Sequence, residues 1–570
     1  MNNAETSNNI TSVQKKNNYK NFVSKNKNII MGILAALAVA GGLIGYKITS
    51  KNKYSIASNK AEQYFYAADF DKAIEEYNIL YNKDKSPLWK AKIAQVYSVK
   101  RDIENSRKYI NECKGLDKKT PEVLNYIIFT EYMNKDFKGA LKDGEEALKN
   151  NSKEKSLIKT MFSVYMANNK YEEANKLLSS YPVDEKLSYD MAEYGRMLMV
   201  IGEKDKGFQS LRKAWDIDKD EYKIYDVLVQ IAMYDKDKLL KYIHELSSKN
   251  PQDIAYKMWE AKIYSMSSDT SDEASKIMES IKDKDIGKIE GHVIQASIYE
   301  NNKQMDKAEE VINKLLSENG NDYRVLHTAA WFYLNKKDLD KAQEYCTKSL
   351  YKNQEYPDNY GFLMPEILRQ KGKSIEAEPY FRTAMLKEPY NYNTMLNIAN
   401  YYNATTDNMN KALEYFKFAE IVKPNDVEIK YNIALVYISN KKDDEAIKVL
   451  KQCIKLRNDV PKYHRTLGTI YFLQGNTNDA IEEIRFAYNA DKNDPLTLNN
   501  AGCYYIMVPA DLQRGVYNLG VAYKAMDNTM DDYTRKTIKE NYEKSKKLYD
   551  SYSKSEGNEK LKIPELILFY

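Results

Sequence analysis

One periodicity constrains this chain more than anything else in it. A small residue returns at Ala73, Ser106, Ala140, Ala174, Gly207, Ala274, Ala308, Ala342, Ala377, Ala412, Ala446, Ala480 and Gly515, with Leu240 filling the one larger place. The spacings are 33 to 35 residues and average 34, and no chance match keeps phase over 14 units. Within a unit the apolar positions follow helical spacing twice. Leu467, Gly468 and Tyr471 make one face, Gly475 and Asn476 break the helix, and Ala480, Ile484 and Ala487 make a second face. Asp494 and Pro495 open the next unit. A lone helical hairpin cannot bury both faces, so the units must stack on one another. The expected fold is all-α, a solenoid of about 14 helix-turn-helix units over residues 54–530. Only 13 Pro and 21 Gly occur in 570 residues, which suits long helices and argues against an array of β-sandwiches.

These residues carry a resemblance to the tetratricopeptide-repeat family, whose unit has small residues at positions 8, 20 and 27, an aromatic at 11 and often Pro at 32. Ala330, Tyr333 and Ala342 match positions 8, 11 and 20, as do Ala434, Tyr437 and Ala446, and again Gly468, Tyr471 and Ala480. Pro389 and Pro424 match position 32, and Gly202, Gly372 and Gly475 fall at the inter-helix turn. Some units depart from the pattern. Ser106 and Cys113 stand at small positions, the unit around Leu240 lacks one, and an extra turn residue lies near Thr405. Pro365 and Pro379 fall inside expected helices, which predicts a kink or a wider groove there.

The resemblance implies a right-handed α-solenoid whose first helices line a concave groove for other proteins or extended peptides. Asn397, Asn432 and Asn500 share position 6, with Thr466 between the last two. That arrangement resembles the asparagine ladder by which some relatives hold a peptide backbone, since an amide offers both a donor and an acceptor. Further groove candidates are His327, Trp331, Phe362, Arg369, Tyr431, Arg465 and Phe472. The Lys/Asn/Arg clamp by which other relatives hold a C-terminal carboxylate is not found in register.

Residues 29–46 form an uncharged run bounded by Lys27 and Lys47. As a helix the run is roughly 27 Å long, close to the hydrocarbon core of a bilayer. A transmembrane helix is expected over 29–48, preceded by a polar, Lys-rich leader at 1–28. The basic leader favours a cytoplasmic N-terminus, with the solenoid on the far side. Gly41 and Gly45 have the spacing of a helix-dimer contact. The competing reading is signal cleavage after Ala38-Val39-Ala40, which would release a secreted solenoid.

Chemistry-bearing motifs are lacking. Basic and acidic side chains number 87 and 82, so a net charge of +5 gives no footprint for nucleic acid. Cys113, Cys346, Cys453 and Cys503 form no CxxC pair and read as buried core residues, and His244, His292, His327 and His464 are scattered. No phosphate-binding or nucleophile motif occurs, so neither catalysis nor a cofactor or metal is expected. A polar capping helix is expected at 531–556, then a tail at 557–570 whose Leu566, Ile567, Leu568 and Phe569 favour docking into the chain's own last groove over a partner's. The function expected is a membrane-anchored scaffold. The alternative is a non-catalytic regulatory or substrate-presenting subunit of a membrane-bound transferase, as in polysaccharide synthesis or export.

Overall fold

The computed structural model describes residues 59–405, 408–527, 530–554 and 562–570. Among them every regular element is helical: 28 α-helices with a few short 3₁₀ and π turns, and no strand. The leader at 1–28, the expected membrane helix at 29–48 and the Gly41/Gly45 contact lie outside the described residues. No helix among the described residues is long and apolar enough to cross a membrane.

Consecutive helices pair as hairpins, from Lys60–Tyr66 with Phe70–Asp84 to Pro495–Met507 with Leu512–Ala525, and helix Asp532–Lys554 follows. Local chemistry starts many of the helices. Pro87, Pro121 and Pro495 sit in first turns where a missing N–H costs nothing, while Ser86, Thr120 and Asp494 accept hydrogen bonds from the exposed amides. Asp102, Asp136, Asp338 and Asp511 cap second helices in the same way. The turn between the two helices of a hairpin needs one left-handed residue. Gly202, Gly372 and Gly475 supply it at φ 93°, 73° and 80°, but Arg101, Lys135, Lys337 and Lys441 adopt the same conformation at φ 65°, 63°, 66° and 56°. The turn is therefore imposed by hairpin packing even where the side chain disfavours it.

The periodic small residues lie where the two helices of a hairpin touch. Ala140, Ala308, Ala342, Ala446 and Ala480 are fully buried. At two hairpins the approach is tighter: a Cβ on Gly195 would lie 2.8 Å from the carbonyl oxygen of Gly207, and one on Gly502 would lie 2.9 Å from that of Gly515. Two departures in sequence become departures in structure. In the unit lacking a small residue, the hairpin loop is gone, and Tyr222–Lys249 runs as one element broken only at Asp235, with φ −154° and ψ 67°. Around Pro365 the expected kink takes the form of a π turn at Asn359–Leu363 leading into helix Met364–Gln370. Pro365 has no N–H to offer the carbonyl of Gly361, four residues back, and that carbonyl accepts from Asn397 Nδ2 at 2.9 Å.

The array also winds back on itself. Tyr66 Oη lies 3.0 Å from Thr383 Oγ1, Ser163 Oγ donates to Pro389 O at 2.6 Å, and Lys423 Nζ donates to Val200 O at 2.7 Å. Arg101 pairs with Glu414, and the rings of Tyr132 and Phe418 meet at 5.1 Å. One apolar core accordingly joins residues of 128–200 to residues of 377–470. Each large apolar side chain buried there contributes about 1.5–3 kcal/mol. Helices Ala377–Lys387, Tyr392–Ala404 and Met409–Val422 pack against the earlier units through contacts such as Tyr66 with Thr383, Arg196 with Asn393 and Tyr132 with Phe418, so the expected groove is closed where they meet.

Candidate functional site

What remains open on the inner surface is a cavity of about 770 Å³. Its wall is built from the first helices of successive units: Tyr222–Lys249, Ile254–Tyr264, Glu290–Asn301, Tyr323–Asn335, the Asn359–Gln370 segment and Tyr392–Ala404. Stacking in register brings one row from each helix to a common surface. Five residues expected to line a groove do line this cavity: His327, Trp331, Phe362, Arg369 and Asn397. Their roles differ from surface recognition in three cases. His327 is buried, and burial pushes its pKa down to about 4. The neutral ring accepts from Trp331 Nε1 at Nε2, 3.0 Å away, which leaves Nδ1–H to donate to Asn359 Oδ1 at 2.8 Å. Arg369 is held by Glu366 at 2.7 and 2.5 Å. Asn397 is committed to Gly361.

Carboxylates that sequence reasoning passed over line the same cavity. Asp226, Glu290, Glu300, Asp358 and Glu366 face it, with Lys262 and Arg369 as the cations. Burial, reinforced by the charge of Asp358, raises the carboxyl of Asp226 well above its ordinary range. Burial also raises Asp358, to about 7, opposed by Lys223 and assisted by Glu388. Glu290 is fully buried; Lys262 Nζ lies 2.7 Å from its Oε1, and its Oε2 has no hydrogen-bond partner among the described residues. Asp226 Oδ1 accepts from Tyr356 at 3.0 Å, while Oδ2 has no partner among the described residues. In sequence these acids are indistinguishable from the many carboxylates on solvated helix faces.

A second arrangement lies at the C-terminal end, where residues 562–570 are extended. Asn500 Nδ2 donates to Phe569 O at 2.7 Å and its Oδ1 accepts from Phe569 N at 2.8 Å. Asn541 treats Ile567 in the same way, at 2.7 and 3.1 Å, and Asn499 Nδ2 adds a bond to Ile567 O at 3.0 Å. Alternate residues of an extended strand thus have their backbone held by side-chain amides. Leu566 is buried beside Cys503, Ile506 and Leu519, and Phe569 packs against Leu498, Ala522 and Ile538. The apolar tail supplied the sequence signal for this contact; Asn541, on helix Asp532–Lys554, supplied none.

The other candidates separate from both places. Tyr431 Oη lies 3.0 Å from Thr466 Oγ1, and Arg465 is buried in a pair with Asp494, so neither is the exposed groove residue expected. Phe472 packs on Tyr504 with ring centroids 6.4 Å apart. Asn432 is half-buried, and its amide has no hydrogen bond among the described residues. The four cysteines are buried and free. No group of His, Cys, Asp and Glu among the described residues has the arrangement of a metal site.

Comparison with known proteins agrees with the repeat. The tetratricopeptide repeat family model matches residues 289–322, 323–355 and 427–460. No curated protein sequence matches the chain. Among solved structures, the chain is similar to the APC/C hetero-tetramer Cut9–Hcn1 at 13% identity, covering 85% of this chain and 95% of that one with a TM-score of 0.33. It is similar to yeast Tom70 at 15% identity, covering 82% and 94% with a TM-score of 0.33. It is similar to Naa15/Naa10 bound to HypK at 11% identity, covering 86% and 90% with a TM-score of 0.39. Those likenesses are too distant to carry over any partner. The three matched segments are tetratricopeptide repeats, and they lie within an all-helical array of hairpins.

Proposed function

We propose that the chain is a non-catalytic scaffold that grips extended polypeptide segments on the open part of its inner surface, while residues 29–48 hold it to a membrane with the repeats outside the cytoplasm. One observation carries the gripping: Asn500 and Asn541 bond both backbone groups of Phe569 and Ile567 in the chain's own extended tail. Recognition of that kind reads the main chain and tolerates varied side chains, as suits a scaffold. Asn432 offers the same amide group with nothing yet on it. The uncharged run at 29–46 supports the anchor by its length. Both parts are tested in intact cells with a photo-crosslinking residue at position 432 or 331 and, as a control, at buried Cys453. Discrete protein adducts from 432 and 331, none from 453, and release from membranes on deleting 29–48 are the expected results. Absence of adducts from both open positions sinks the scaffold reading, and membrane retention of the deleted form sinks the anchor.

A further inference from the structure

The charge balance inside the 770 Å³ cavity is uneven. Lys262 is matched to Glu290 and Arg369 to Glu366. Lys223, whose charge also reaches Asp226 and Asp358, is paired with Glu388, both side chains being almost fully buried. Among the described residues Asp226, Glu300 and Asp358 have no lysine or arginine in a salt bridge of their own, and Lys223 and Lys262 act on the two aspartates only from a distance. Among the described residues Glu300 has only the amide of Asn335, at 2.8 Å. Asp358 Oδ2 lies 3.4 Å from His327 Nε2, but that nitrogen already accepts from Trp331 and has no proton to give. Asp226 Oδ2 and the fully buried Glu290 Oε2 have no donor among the described residues. Carboxyls buried without a paired cation hold their protons more tightly, as Asp226 and Asp358 do, and an incoming cation lets them ionise against it.

The rest of the wall has the matching chemistry. Tyr222, Tyr225, Trp331, Phe332, Phe362 and Tyr401 surround the acids, and aromatic faces attract lysine and arginine heads while covering their apolar stems. The volume falls within the roughly 300–1,000 Å³ of ordinary ligand sites, enough for more than one side chain. Asn397 and Asn400 also line the cavity, and Asn432, with its unused amide, occupies the place of Asn397 one unit further along.

We propose that this cavity receives a lysine or arginine side chain of an extended partner polypeptide, with Asp226, Asp358 and Glu300 as counter-charges and Trp331 and Phe362 as its apolar wall. The inference rests on the scaffold reading and names the chemistry of its partner. The probe is a fluorescein-labelled peptide of four alternating alanine–lysine pairs, titrated against the full-length chain in detergent and followed by fluorescence anisotropy. A peptide of alanine–glutamate pairs and free spermidine serve as the comparison arms. The lysine peptide binds; Asp226→Asn with Asp358→Asn weakens it about tenfold or more; Phe362→Ala, which changes no charge, weakens it severalfold. Glu172→Gln with Glu173→Gln, on an exposed helix face, leaves it unchanged. Circular dichroism and the melting temperature establish that each variant is folded. Equal binding of the glutamate peptide, or lysine-peptide binding that survives both cavity variants, overturns the proposal. Spermidine competing as strongly as the peptide overturns the polypeptide assignment. None of these outcomes touches the crosslinking result at position 432, so the wider reading stands or falls separately.

Discussion

Asn500 holds Phe569 by both of its backbone groups, although 69 residues separate them in the chain. The same amide spans to Thr469 Oγ1 at 2.9 Å, and that hydroxyl also bonds Phe569 O at 2.6 Å. The tail is therefore part of the last units' core, and its hold depends on a few amides as well as on apolar burial.

Removing the tail tests that dependence. Deleting residues 565–570 uncovers Leu498, Cys503, Ile506 and Leu519, and the protein then binds an apolar dye that the intact chain ignores. Asn500→Ala loses two bonds to the half-buried Phe569 backbone and costs about 1 kcal/mol, read as faster hydrogen exchange at the Phe569 amide. An exchange rate at Phe569 unchanged by Asn500→Ala would show that the apolar side chains alone hold the strand.

Lys337 is a case where substitution improves the fold. Its φ of 66° is left-handed, in the turn where Gly202, Gly372 and Gly475 stand in other units. Lys337→Gly removes the Cβ clash and gains about 1 kcal/mol, less what glycine's extra freedom costs in the unfolded chain. The measurement is the midpoint of urea unfolding, which rises; a fall means the Lys337 side chain does more in its contacts than the turn costs.

Gly502 permits no such freedom. A Cβ there would meet Leu519 Cγ at 2.5 Å as well as the Gly515 carbonyl. Gly502→Ala forces the last hairpin apart and destabilises it by about 1–3 kcal/mol. Loss of tail protection in hydrogen exchange accompanies it, because Asn499 and Asn500 share that helix.

Glu378 sets a pH dependence. Burial by itself would raise its carboxyl, but Arg382, Lys411 and the Tyr402 hydroxyl outweigh burial and hold it down at about 2. A carboxyl lowered in the folded state stabilises fully above its unfolded pKa, near 4.5, and loses that contribution as pH falls toward 2. Glu378→Gln is accordingly less stable than the parent at pH 6, and the gap narrows between pH 4.5 and 2. A gap independent of pH would mean that shape, with charge playing no part, holds Glu378 in place.

The candidate site was half legible beforehand. His327, Trp331, Phe362, Arg369 and Asn397 were reached through repeat register, because equivalent positions on stacked first helices share a surface. Asp226, Glu290 and Asp358 were not, since a carboxylate on an amphipathic helix carries no mark of what will cover it. Tyr431 and Arg465 were assigned to an open groove and are buried, for the same reason in reverse.

By itself the sequence determined the unit: the 34-residue period, the helix starts at Asp and Pro, and the small residues at the hairpin contact all act within a few turns of chain. Tertiary structure decided which stretch of inner surface stays open. Pairs such as Arg101 with Glu414 and Lys423 with Val200 depend on where the array arrives after many units. Each unit adds a small rotation to the last, and local departures at Asp235 and Pro365 enter that sum. A contact more than two hundred residues away is therefore fixed by the accumulated geometry, which no single unit's sequence contains.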